Sequence, residues 1–218
     1  MLRARFEKTG NARYISHLDL MRLFQRAFKR AGLPLTHTHG FNPRPSVSIA
    51  LPLSLGVESC CELLDFELEQ PVACEEVRAR LNNALVDGVR VLEVYEQGNK
   101  LKNLALLQSR LVVEYDRRVP EDCTARIEQL FSQTELLVEK KGKNGVSLQN
   151  VIPLIHRLSV CRRADSEVEI SLLHCCQNPA LNPMQISVAI AKYLPDLEAD
   201  YVRCFREEIF DVNGDIFR

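Results

Sequence analysis

No stretch of the chain approaches the ~18 consecutive apolar residues that a membrane-spanning helix needs. The opening "MLRARFEKTG" alternates charged with apolar residues and builds no apolar signal-peptide core. These absences predict a cytoplasmic protein with no membrane partner. The eight cysteines include no CxxC pair and no CxxxCxxC triplet, and lie in apolar runs such as "SCCELLDF" and "SLLHCC". That placement predicts reduced, mostly buried thiols, not a disulfide framework or an iron-sulfur site. HExxH, GxSxG, a dinucleotide fingerprint and a phosphate-cradling glycine loop are also missing, so no metal or cofactor is expected. "GKNG", Gly142 to Gly145, reads as a hairpin turn with a basic tip.

With 218 residues, 46% of them hydrophobic, the chain can bury a full core in one large domain or two smaller ones. Its formal charge of −1 conceals a strong asymmetry. Residues 1–50 hold nine Lys or Arg against two acids, a balance of +7, whereas residues 51–100 hold four against ten, a balance of −6. A local field follows where such charges lie in the fold, not the net value.

"LRARFEK" alternates as a strand, and Ser16 stands where it can cap a helix. From His17 to Ala31, Leu20, Phe24, Ala27, Phe28 and Ala31 recur at three- and four-residue steps, predicting an amphipathic helix that Gly32 and Pro34 end. "SVSIALPL" and "SCCELLDFELEQ" read as strands, "CEEVRARLNNALV" as a helix and "VRVLEVYE" as a closing strand. The second half repeats the order with "QSRLVVEYDRRV", "PEDCTARIEQLFSQ", "TELLVEKK", "EVEISLLHC", "NPMQISVAIAKYLP" and "DYVRCFREEIFDV". Here "SLQNVIPLIHRLSVCR" reads either as a short helix plus a strand or as one longer strand. The pattern predicts an α+β protein of two tandem ferredoxin-like β-α-β-β-α-β units, residues 1–98 and 105–218.

On the first helix, Arg22, Arg26 and Arg30 follow one another at four-residue steps, with Lys29 beside them. Such a row suits successive phosphates, because each guanidinium is a rigid fork of donors; it suits a solvated helix face equally. The next segment, "THTHGFNPRP", has turn chemistry at Gly40, Asn42, Pro43 and Pro45. A stiff loop of this kind can present Phe41 for base stacking, with Asn42 and Arg44, and Arg13 upstream, as further contacts. Alternatively, Phe41 plugs the core under a tight turn. His37 and His39 alternate, and with His17 or Asp19 they resemble a metal or acid–base group, though at a spacing with no specificity. His156 and His174 lie in apolar segments and read as core or edge residues.

"RYISHLDLMRLFQRAFKRAGLPL" followed by "HGFNPRPSVSIALPLSLGVES" resembles the opening of a bacterial radical-SAM-linked protein family, encoded beside or fused to a radical SAM protein. The matching positions are Ser16, His17, Asp19, Arg22, Gly40, Phe41, Asn42, Pro43 and Pro45. The resemblance implies a radical SAM partner that carries the iron-sulfur cluster itself, in an RNA setting. The expectation is therefore a non-catalytic RNA-binding accessory of that enzyme. Tandem ferredoxin-like units are also similar to CRISPR-type RNA-processing endonucleases that need no metal. That likeness keeps a metal-independent endoribonuclease using His17 as an alternative, beside a protein scaffold that docks an acidic partner.

Overall fold

The computed structural model describes residues 1–142 and 145–218. Lys143 and Asn144, the centre of the expected "GKNG" turn, lie outside the described residues. The chain is α+β, with four helices and mostly antiparallel sheet among those residues. It divides into two compact units, residues 1–102 together with Arg218, and residues 103–217. No helix among the described residues is long and apolar enough to cross a membrane.

The first unit runs β1 (Leu2–Lys8), α1 (His17–Arg30), β2 (Val47–Ile49), β3 (Val57–Phe66), α2 (Cys74–Asn82) and β4 (Val89–Glu96). Its strands lie in the order β4-β1-β3-β2, each pair antiparallel. The expected strand over "SVSIALPL" shortens to three residues, because Pro52 and the turn through Gly56 take the chain away. Alternation along β1 sends Ala4 and Phe6 into the core, where Phe6 meets Phe24 of α1 edge-on with ring centroids 4.8 Å apart. Phe28 meets Phe66 at 4.9 Å. Past α1, Gly32 adopts φ +63, so that Leu33 N–H reaches Phe28 O and Gly32 N–H reaches Lys29 O. This double closure stops the helix where the sequence predicts.

Two basic residues of β1 are interior. Arg3 is fully buried opposite Asp65 on β3, with Nε 2.6 Å from Oδ1 and a second guanidinium N–H donating to Oδ2 at 3.0 Å. Gln97 donates to the same carboxylate at 2.7 Å. Lys8, equally buried, donates to the carbonyls of Arg13 and Ile15 and so pins the chain as it turns into α1.

The second unit runs β5 (Leu104–Glu114), α3 (Cys123–Phe131), β6 (Leu137–Gly142), β7 (Gly145–Asn150), β8 (Ile155–Ala164), β9 (Glu167–Cys175), α4 (Met184–Tyr193) and β10 (Tyr201–Asp211). Its main strands take the order β10-β5-β9-β8, again antiparallel. The ambiguous "SLQNVIPLIHRLSVCR" divides at a short 3-10 turn over Ile152–Leu154, yielding β7 before it and β8 after it. The division is local chemistry. Pro153 brings no N–H, and the Asn150 side chain accepts from the N–H groups of Leu136 and Ile152. "TELLVEKK" therefore pairs with β7 in a separate hairpin and does not join the main sheet. All eight cysteines are free; four are buried and only Cys161 is exposed.

His174 on β9 is fully buried, with Nε2 2.9 Å from Ser109 Oγ and Nδ1 3.2 Å from Cys175 O. Burial, which disfavours the charged imidazolium, pushes its pKa down from 6.5 to about 4. The unfolded chain takes up this proton below its ordinary pKa while the folded chain refuses it. Stability from this group is therefore complete at neutral pH and is lost as pH falls from about 6.5 to about 4. Urea unfolding across that range should show a loss of roughly 3 kcal/mol in the wild type that His174→Asn lacks. Parallel stability–pH curves for the two proteins would contradict this account.

Candidate nucleic-acid interface

Ser16 opens α1 as its N-cap. Its Oγ accepts the Asp19 N–H at 3.2 Å, and its hydroxyl donates to Asp19 Oδ2 at 2.7 Å. Once Leu20, Phe24, Ala27 and Phe28 face the sheet, the helix geometry leaves Arg22, Arg26, Lys29 and Arg30 exposed. Successive arginines rise by about 6 Å per four-residue step.

Arg22, Arg26 and Arg30 line one open cavity of 380 Å³, whose apolar walls are Ile15, Leu23 and Val86. Asp19 lines it too, and its Oδ1 accepts from Arg22 at 3.0 Å. Hydrogen bonds from the Ser16 hydroxyl and then from Arg22 hold the Asp19 carboxyl below its usual range, so it stays ionised. Three cations thus share the cavity with one anion. The Asp19–Arg22 pair is mostly exposed, with side chains 60% and 65% accessible, and an exposed pair of this kind opens at little cost. Arg30 also donates to Ala84 O, closing the chain that leaves α2. Arg80 of α2 does the reciprocal service to α1, donating to Ala31 O and Gly32 O.

The other expected contacts lie elsewhere. Residues 36–46 form a hairpin in which Thr38 N–H reaches Arg44 O, Ser46 N–H reaches Thr36 O, and Arg44 N–H reaches Thr38 Oγ1. Phe41 stands at its tip, fully exposed, and Asn42 and Arg44 are exposed beside it; none of the three lines the arginine cavity. The reading of Phe41 as a core plug is therefore excluded. Arg13 is held in place by Glu58 Oε1 at 3.7 Å and by the Tyr14 hydroxyl and ring. His17 is half-buried in the first turn of α1, its Nδ1 enclosed without a hydrogen-bond partner among the described residues. His37 pairs with Pro45 across the base of the hairpin, and His39 is near its tip. No three His, Cys, Asp or Glu side chains come together as a metal site among the described residues.

The sequence reading omitted the apolar walls of the cavity and the pairing of Asp19 with Arg22. The second was legible, because Asp19 and Arg22 stand three residues apart on a helix face. Val86 was not, since it comes from the loop beyond α2.

Residues 1–183 match the model of a family described as "Uncharacterized protein conserved in bacteria (DUF2344)". The chain belongs to this family. No curated protein matches it. Among solved structures, it is similar to a chain in the crystal structure of a Cbf5-Nop10-Gar1 complex, at a TM-score of 0.52 and 10% identity. That match covers 95% of this chain and 48% of the other, so the family member spans about half the length of its structural neighbour. At that identity the likeness concerns the fold alone.

The exposure of Phe41 has a direct test. Phe41→Ala should shift stability by less than about 0.5 kcal/mol, as surface substitutions do, when followed by thermal melting. A loss of several kcal/mol would place the ring in the core after all.

Proposed function

We propose that this protein binds single-stranded RNA along the exposed face of α1, as a non-catalytic accessory of a radical SAM enzyme. The observation that carries the RNA reading is the convergence of Arg22, Arg26 and Arg30 on one open, apolar-walled cavity. Guanidinium forks at regular helical steps suit consecutive phosphates, and apolar walls suit the sugar and base edges between them. Phe41, exposed on its own hairpin, supplies a ring on which a base can stack.

The non-catalytic part is supported by His17, whose Nδ1 is enclosed, while the neighbouring Ser16 hydroxyl is turned to Asp19. The radical SAM partner rests on the resemblance carried by residues 13–56, and RNA modification is the setting that resemblance implies. We also read each unit as ferredoxin-like. The order β4-β1-β3-β2 in the first and β10-β5-β9-β8 in the second supports that reading, as does a helix after the first and third strand of each once the β6–β7 hairpin inserted in the second unit is set aside.

Binding to a short single-stranded RNA should weaken linearly in log salt, and replacing Arg22, Arg26 and Arg30 by Ala should lower the slope by about 2, at ~0.7 per phosphate contact. Asp19→Asn should tighten binding at low salt, because it removes the one carboxylate among the three cations. A folded triple variant with the wild-type affinity and slope would reduce the row to a solvated face. Affinity purification from the native cell addresses the partner separately: a radical SAM protein should be enriched over a control bait, and its absence would remove that part of the proposal.

A further inference from the structure

Helix α1 has a second hollow on its other flank. Gln25, Phe28 and Lys29 of the helix meet the segment from Gly32 to His37 around a cleft of 450 Å³. Its floor is apolar, formed by Phe28, Leu33 and Leu35, and Pro34 and Pro45 form its sides. Its polar lining residues are Gln25, Lys29, His37 and Glu69. The backbone of Glu69 is fixed beside the cleft, its N–H donating to Pro34 O at 3.0 Å, and its exposed side chain is within reach of the opening; the bridge between His37 and Pro45 sets the opposite wall.

The cleft and the arginine cavity flank one basic ridge. At 100° per residue, Arg22, Arg26 and Lys29 occupy the crest of α1, with Arg30 toward the first hollow and Gln25 toward the second. A polyanion that follows the crest therefore passes within side-chain reach of both. We infer that the second cleft receives one nucleobase of the bound strand, and that it selects bases with an exocyclic amino group over uracil. The inference rests on the RNA reading and adds to it a base-specific site.

Three features favour a base over an apolar side chain of a protein partner. A volume of 450 Å³ is in the range of small-molecule sites and admits a planar heterocycle with its sugar. Proline edges and an imidazole make flat surfaces on which a ring can stack. The Glu69 carboxylate only accepts hydrogen bonds. It can pair with the amino groups of adenine or cytosine, whereas uracil offers it a single N3–H flanked by two repelling carbonyl oxygens. Lys29, lining the cleft and on the crest at once, is placed to hold the phosphate next to that base.

Fluorescence anisotropy of the full chain with short labelled oligomers of A, C and U tests the inference. At equal salt, the A and C oligomers should bind about tenfold more tightly than U, with the same salt slope, one well-placed polar pair being sufficient for that ratio. Glu69→Gln, an exposed and isosteric change, should narrow the gap. Gln25→Phe, which fills the mouth of the cleft, should bring all three oligomers to the level of an abasic strand without changing the slope. Circular dichroism of both variants should match the wild type. Equal affinities for the three oligomers, or a preference that survives both substitutions, would overturn the base site while the arginine-dependent slope still upheld RNA binding. Such a result would leave the cleft to a partner's side chain. If no RNA binds at any salt, both readings fall together.

Discussion

The orientation of α1 depends on one packing interaction, the contact of its apolar stripe with the sheet beneath. Leu20, Phe24 and Phe28 are almost wholly buried, and two aromatic contacts, Phe24 on Phe6 and Phe28 on Phe66, lock the helix against two different strands. Each such side chain contributes roughly 1.5–3 kcal/mol through burial. Because the helix has one strongly apolar side, it has one way to lie, and its crest of Arg22, Arg26 and Lys29 must face solvent. The end of the helix is equally constrained, by the glycine closure at Gly32 and by Arg80 on the carbonyl of its C-cap residue Ala31. The site is therefore on a rigid element, with two hollows whose walls come from the chain before and after it.

The +7 excess of the first fifty residues divides into two kinds of charge once the chain is folded. Arg3 and Lys8 are structural, the first paired with Asp65 and the second hydrogen-bonded to backbone carbonyls inside the unit. Arg13 is held by Glu58 and Tyr14. Removing Asp65 would take its two-pronged carboxylate partner from a buried guanidinium, and breaking a buried ion pair is among the more costly changes a fold can undergo. What remains exposed is concentrated on α1 and the neighbouring hairpin. The surface field of this region is thus weaker than the count suggests but better organised.

Much of this was legible beforehand. The cap at Ser16, the stripe of α1 and the stop at Gly32 were readable because each is decided by residues within a few positions of one another. Strand order was not stated by any local pattern, and "TELLVEKK" shows why: its alternation fits a sheet, but whether it joins the main sheet or a separate hairpin depends on Pro153 and Asn150, which turn the chain after β7. The fate of Arg3 was hidden for a similar reason. Its partner Asp65 is 62 residues away, and only the register of β1 on β3 sets them face to face. The cavity walls Val86 and Glu69 are likewise contributed at long range. Phe41 was open to two opposite readings because glycine and proline fix the shape of a loop without saying which side of it meets the core.

Ultraviolet crosslinking of the intact protein to a pool of short single-stranded RNAs, followed by peptide mapping, tests the central claim most directly, because it locates contact without presuming an affinity. The account predicts crosslinked peptides from α1 (His17–Arg30) and from the hairpin of residues 36–46 that carries Phe41. Crosslinks confined to the second unit, or none above those of an unrelated acidic protein, would contradict it.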